Sequence, residues 1–496
     1  MTLVNAEPRK KFFTEMLTRD IDLKDAILDL LDNCIDGALR ASESLQINAQ
    51  VQQGDSEVVL VGNTAEIDPV SPYSDRWAEI SINETEFVIR DNCGGIPRDI
   101  AINYAFRMGR SEEMQETETV KSVGVYGIGM KRAVFKMGRN VEVISKNAED
   151  FYRVCIPPAW MSSGDWSLEL EDLPNADLFT GNTLVYVNDL HEEIIDLFNN
   201  TDFIDDLKTT ISTHYSVIIS KGFEIRFIYN EELEIIVARE IKISYKSPST
   251  EDPVSSILPY IVTGKTENVD YSIIVGFYAP PPGIEEDEGE DQPNWRNIRK
   301  SEYAGWTIIC NDRVVIYNDK SIITGWGEAM VPTYHNQFRA ISGVVEFSSR
   351  DLKKLPWTTT KRGINTNSRV YLEAKNYMRN GMKKFTDFTN HWKRNQEEAR
   401  SLFKGHRPTV YKEVIKELKK DTEIWTRSRR DDTLRYDIPL PRPEETNKMI
   451  VIRFSKPKDL YNEVKYKLFE DDQISPSALG EFCFDYFLKG DEDGGR

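Results

Sequence analysis

DAILDLLDNCIDGA, residues 25–38, is the stretch on which the reading of the fold turns. Across residues 21–40 the apolar positions Ile21, Leu23, Ala26, Ile27, Leu30, Leu31, Cys34, Ile35 and Ala38 recur at helical spacing, and Asp22 or Asp25 suits the first turn. Two polar pairs interrupt this apolar pattern. Asp29 and Asn33 lie four apart and share a face, and Asp32 and Asp36 share another. A carboxylate beside a carboxamide at that spacing can hold a water and a magnesium ion against phosphates. A solvated acidic helix carries the same letters, so the stretch acquires meaning only with companions elsewhere.

Three companions follow in chain order. IRDNCGGIP (89–97) sets Asp91 after a strand and before a Gly-Gly turn, where backbone can approach a ligand closely; an acceptor carboxylate there can take the exocyclic amine of adenine. SVGVYGIGMKRAVFKMG (122–138) sets Gly124, Gly127 and Gly129 around the start of a helix near Ile128. Backbone N–H groups at a helix start, with the favourable end of the dipole, cradle anions, and Lys131 adds a point charge. The motif is neither GxGxxG nor GxxxxGK[ST]. In TGNTLVYVNDL (180–190), Thr183 begins a strand after a turn, where its hydroxyl can support Asp91 through a water.

Composition narrows the class. The five cysteines (Cys34, Cys93, Cys155, Cys310, Cys483) and five histidines are scattered, with no metal-ligand spacing, so buried reduced thiols are expected. No apolar run approaches the roughly 20 residues of a membrane helix, and MTLVNAEPRKKFFTEM lacks the pattern of a signal peptide; a cytoplasmic protein without membrane association is expected. The net charge of −19 argues against a chain that binds nucleic acid over its whole surface. Locally, residues 371–430 carry eight more basic than acidic side chains, an electrostatic footprint or a solvated helical face.

The segments WAEISI, EFVIRD, VEVISK, YRVCI and TLVYVNDL read as strands, with a helix and a glycine-flanked loop between Arg107 and Gly129. The order predicts an α+β sandwich with helices on one face of a mixed sheet. Taken together, the four motifs resemble the GHKL ATPases, the class of gyrase, MutL, MORC proteins, large heat-shock chaperones and histidine kinases, and most closely the MORC/MutL-like bacterial members. The resemblance implies the Bergerat α/β sandwich and binding of ATP with Mg²⁺. Asn33 would be the metal ligand and Asp91 the adenine acceptor, with Gly95 lining the base pocket. Gly124, Gly127, Gly129 and Lys131 would cradle phosphates, and Asp36, Ile96, Met108, Val125, Tyr126, Ile128 and Thr183 would complete the ATP site. Asp29 stands where these ATPases usually have the water-activating Glu. It is one methylene shorter, roughly 1 Å of reach, and misplacement of that size can cost about 10²-fold, so slow hydrolysis is expected. The second motif reads DNCGG rather than DNGxG, which leaves the key Asp and second Gly in place.

Further along, GWTIICNDRVVI…GWG…SGVVEFSSRDLKKLPWTTTKRGIN resembles the transducer domain of gyrase, MutL and MORC proteins. In these a loop lysine reaches the γ-phosphate; the TTTK sequence makes Lys361 that candidate, and a cation there would stabilise charge in the transition state. The expected domains are 1–204 for ATP binding, 205–370 for the transducer, a basic helical region at 371–438, a linker PLPRPEETN (439–447), and a strand-helix-helix module at 448–496 with Ser475 or Ser477 as a cap. That last module resembles ribbon-helix-helix proteins, which dimerise through the strand. The resemblance implies an ATP-gated dimeric clamp acting on DNA in repair or anti-phage defence, the 371–430 stretch making the contact and a partner protein (a nuclease or other effector) doing any cutting. A heat-shock-type chaperone or assembly factor is the alternative; its arginine in place of the TTTK lysine weighs against it. A sensor histidine kinase is disfavoured, because no histidine precedes the ATP domain.

Overall fold

The computed structural model describes residues 10–52, 71–107, 129–174, 181–248, 257–281, 301–358, 360–420, 424–428, 433–443, 455–468 and 474–490. The chain divides into two compact units, Met1–Arg442 and Pro443–Arg496, and the division falls inside the segment read as a linker.

The first unit opens with helices α1 (Lys10–Arg19) and α2 (Leu23–Gln52). Asp22 starts α2: its carboxylate accepts the Lys24 N–H at 2.8 Å and its carbonyl takes the Ala26 N–H at 3.0 Å. Every apolar residue of α2 from Leu23 to Leu39 is buried, so the helix is a central element covered on several sides. An eight-stranded sheet lies against it, formed by β1 (Trp77–Ile82), β2 (Glu86–Asp91), β3 (Gly138–Lys146), β4 (Phe151–Ile156), β5 (Leu170–Asp172), β6 (Thr183–Leu190), β7 (Glu224–Tyr229) and β8 (Glu232–Ile235), in the order β5-β4-β3-β6-β2-β1-β7-β8. The fold class is the expected mixed α+β arrangement. Helices α3 (Gly129–Met137) and α4 (Thr201–His214) belong to the same half.

One boundary differs from the sequence reading. The domain boundary expected at 204/205 assigns residues 224–235 to the second domain, yet β7 and β8 complete the first sheet. β7 runs parallel to β1 with Ala78 opposite Ile225 and Ile80 opposite Phe227. All four side chains are buried. The pairing sets the apolar side chains of both strands side by side on one buried face, and α4 with the short helices around it makes the crossover that a parallel pair requires.

The second sheet has seven strands in the order β13-β12-β14-β11-β10-β17-β16, and a two-stranded ribbon pairs β15 with β9. Their ranges are β9 (Lys242–Tyr245), β10 (Tyr260–Thr266), β11 (Val269–Phe277), β12 (Gly305–Cys310), β13 (Arg313–Asp319), β14 (Ile341–Ser348), β15 (Arg407–Val410), β16 (Thr426–Arg427) and β17 (Leu434–Tyr436). Strands β12 and β14 are buried on both faces. Helix α5 (Arg369–His391) packs through Val370, Ala374, Met378, Met382 and Phe385 on one face, where the Phe385 ring meets Phe277 edge-on at 5.1 Å. Helix α6 (Tyr411–Leu418) joins Ile243, Ile261 and Ile309 in a separate cluster. The 371–438 region is therefore not helical throughout. It supplies β15, β16 and β17, and Tyr436 of β17 is fully buried opposite Ile261. Several of its basic side chains are paired within the unit: Lys375 and Arg379 with Glu328, Lys384 with Asp437, and Lys412 with Glu346.

The second unit shows two helices, α7 (Lys458–Leu468) and α8 (Pro476–Gly490). Ser475 caps α8 by accepting the Ala478 N–H at 3.2 Å. The strand expected to precede α7 falls largely at 444–454, outside the described residues.

Candidate nucleotide site

The residues that the resemblance assigns to adenine converge at the ends of β2 and β6. Asp91 closes β2 and is paired in register with Thr183, the first residue of β6. The Asp91 carboxylate is buried and accepts the Cys93 N–H at 2.8 Å. Burial pushes its pKa up to about 6, against the opposing pull of the Cys93 N–H, the Cys34 thiol and the Thr183 hydroxyl. Asn182 clamps the turn: its side-chain oxygen accepts the Gly94 N–H at 3.2 Å and its amide donates to the Lys146 carbonyl at 3.0 Å. Gly95 sits at φ +74°, and a Cβ there would collide with the Lys146 carbonyl, so no other residue fits the turn. The next residue, Ile96, is fixed through its backbone, which Ser145 and Tyr152 hold at 2.7 Å each.

A second group of residues gathers on α2. Asp25, Asp29, Asp32 and Asp36 lie at i, i+4, i+7 and i+11, within one narrow face, so Asp29 and the Asp32–Asp36 pair, read from the sequence as lying on separate faces, belong to a single stripe. Asp29, Asp32 and Asp36 are buried. Four cations from other elements meet the stripe. Arg132 of α3 pairs with Asp29. Arg313 reaches Asp32 at 3.0 Å, Lys361 reaches Asp32 at 2.6 Å and Asp29 at 3.9 Å, and Arg362 pairs with Asp25 at 2.6 Å. Tyr215 donates its hydroxyl to Asp32 at 2.8 Å. Burial alone would raise the Asp32 carboxyl, but the Lys361 and Arg313 charges and the hydrogen bonds from Lys361 and Tyr215 outweigh it and hold the group below the ordinary carboxylate range. His214, next to Tyr215, is driven down to about 3 by burial and by the Arg313 charge, so it is neutral and adds no further cation.

Local geometry explains how Arg313 and Lys361 reach the helix. Strands β12 and β13 are joined by Asn311 and Asp312, both at positive φ, a two-residue hairpin turn that makes Arg313 the first residue of β13. Lys361 sits in a loop closed by the Trp357–Ile364 bridge and the Thr358 N–H to Gly363 carbonyl bond of 2.9 Å. Its own φ is +55°, a conformation that non-glycine residues adopt at a cost of order 1–3 kcal/mol and that concentrates at working sites.

The remaining residues divide. Gly129 opens α3 directly against the Asp29 side chain. Asn33 is exposed on α2, beside the stripe. Lys131 is buried, and its ammonium donates to the Ala105 carbonyl at 2.8 Å, tying α3 to the segment 98–105. Met108, Gly124, Val125, Tyr126, Gly127 and Ile128 lie outside the described residues. Among the described residues no three His, Cys, Asp or Glu gather to hold a metal by themselves. The donor set offers a lone exposed carboxamide, Asn33, which suits Mg²⁺ held mainly by phosphates and waters. Sequence reasoning assigned no role to Asp32, Arg132, Asn182, Tyr215, Arg313 or Arg362. The signal for the cations was present: four carboxylates on one face of an otherwise apolar helix require partners.

Residues 21–157 match the family model for Histidine kinase-, DNA gyrase B-, and HSP90-like ATPases. The match supports a GHKL-type ATPase domain over this stretch, which spans α2, the Gly94–Gly95 turn and α3. A search of curated proteins found no match. No helix among the described residues is long and apolar enough to cross a membrane.

Proposed function

We propose that the chain is an ATP-gated clamp: it binds ATP and Mg²⁺, hydrolyses ATP slowly, and pairs two copies when ATP is bound. What chiefly supports this reading is that Lys361, on a loop following β14 of the second sheet, lies 3.9 Å from Asp29 of α2, within the residues that match the GHKL-type family model. A cation delivered by the second sheet gives a terminal phosphate a direct hold on that sheet's position. Asp91 would accept the adenine amine, Asn33 would hold Mg²⁺, and Lys361 would face the γ-phosphate. Asp29 would orient the attacking water once Arg132 releases it. The ion pair with Arg132 and the short aspartate reach both favour slow turnover.

Magnesium-dependent ATP turnover, with column elution in the presence of a non-hydrolysable analogue, tests the reading. The wild type is expected to hydrolyse ATP and shift to dimer size, and Asn33→Ala to lose about tenfold in magnesium-dependent affinity, the worth of one ligand to the ion. A wild type that ignores ATP in magnesium buffer overturns the reading. A proton signature accompanies binding. With Asp91 titrating at about 6, half of the free protein carries that proton at pH 6. Adenine binding selects the ionised form, so calorimetry in buffers of different ionisation enthalpy is expected to find proton release near pH 6 and none at pH 8. Affinity is expected to fall about tenfold from pH 7.5 to 5.

The same proposal extends to DNA as the clamped substrate and to a partner effector. The exposed basic side chains Lys393, Arg394, Lys404, Arg407, Lys419 and Lys420 support the DNA contact. Binding through them is expected to weaken steeply between 50 and 200 mM salt, by roughly 10³-fold for six phosphate contacts, and salt-insensitive or absent binding removes the DNA part.

A further inference from the structure

The way Lys361 is held goes beyond what sensing a phosphate requires. Its ammonium lies 2.6 Å from one oxygen of Asp32, and both residues are buried. The other oxygen of Asp32 accepts from Tyr215 at 2.8 Å and from Arg313 at 3.0 Å, and the Arg313 guanidinium lies 4.2 Å over the Tyr215 ring. Asp32 therefore keeps a cation and a hydroxyl donor if Lys361 departs, and a carboxylate that stays paired is the condition for a buried contact to be reversible. The adjacent Arg362 remains anchored on Asp25, so the loop does not depend on the Lys361 contact to stay docked. The loop holds the Lys361 backbone at φ +55°, a local cost that the docked position carries.

We propose that Asp32 is a positioning residue, the resting seat of Lys361, which Lys361 exchanges for the terminal phosphate of ATP while Arg313 stays behind as the counter-ion. The proposal rests on the reading of Lys361 as the γ-phosphate cation. The seat sets how strongly the protein prefers a triphosphate over a diphosphate, because every engagement of the third phosphate must first empty it.

The test is the ratio of affinities for AMPPNP and ADP, each with Mg²⁺, in the full chain. Arg313→Gln leaves Lys361 as the sole cation on Asp32, and the preference for AMPPNP is expected to fall about tenfold. Asp32→Asn weakens the seat, and the preference is expected to rise about tenfold; Lys361→Met is expected to abolish it while ADP binding stays within about twofold. A merely structural role for Asp32 or Arg313 weakens both nucleotides together and leaves the ratio unmoved, which overturns the seat with the ATP site intact. Should Asp32→Asn not fold, Arg313→Gln and Lys361→Met decide alone, since each leaves Asp32 one cation. An unfolded Lys361→Met makes Lys361 a fixed structural pin and also overturns the proposal. A wild type that binds neither nucleotide overturns the underlying reading instead.

Discussion

Asp91→Asn is expected to weaken adenine-nucleotide binding by about 10²-fold while leaving the fold intact or firmer. The carboxamide keeps an oxygen for the Cys93 N–H, which Asp91 accepts at 2.8 Å, so the turn survives. What it loses is a charge-assisted acceptor, worth about 1.5–3 kcal/mol, and it can turn an amide donor toward the adenine amine. Stability moves the other way. The Asp91 carboxyl titrates at about 6 in the folded protein against 3.8 as its ordinary value. Its ionisation therefore opposes folding by at most about 3 kcal/mol above pH 6, and by nothing below about pH 4, where both states are protonated. The substitution is thus expected to raise the melting temperature at pH 7 and not at pH 4. Calorimetric titration and melting curves at the two pH values check both halves, and unchanged nucleotide affinity removes Asp91 from the base pocket.

Lys361→Ala is expected to lower ATP turnover by about 10²-fold, the scale for losing one preorganised donor to a developing charge. Affinity for ADP is expected to stay within about twofold, because ADP offers the lysine no third phosphate. Asp32 retains Arg313 and Tyr215, so the change leaves no bare buried carboxylate and the variant is expected to melt within a few degrees of the wild type. Steady-state turnover beside ADP titration separates the outcomes: equal loss of both marks a structural effect, and full turnover removes Lys361 from the chemistry.

Much of the first half was legible because its signals are local. The strands WAEISI and EFVIRD alternate buried and half-buried residues, as the spacing predicts, and Asp22 starts α2 where its carboxylate can serve the first turn. The allocation of β7 was not legible. Its own pattern only asks for an apolar neighbour, and the choice of β1 depends on a crossover through 192–220 that no short window contains. The α2 carboxylates were visible but split, Asp29 with Asn33, Asp32 with Asp36 and Asp25 with the first turn, because spacing of four was weighed and the i, i+7 relation was not. Their partners lay beyond any local reading: Arg313 is 281 residues from Asp32, and Lys361 is 329. Lys361 itself came into view through likeness to the TTTK loop of other ATPases, whereas Arg313 had only a hairpin turn to mark it.

The row of aspartates along α2 also limits how the gene can be cut. Their neutralisers Arg313, Lys361 and Arg362 are encoded after the first sheet is complete, so a fragment ending near residue 240 carries the acids without these three cations. Like charges packed against an apolar helix repel, and such a fragment is expected to be poorly folded at neutral pH and to improve in acid or strong salt. Recombining the ATP-binding half with a different downstream half preserves neutrality only if the newcomer delivers positive charge to the same three places.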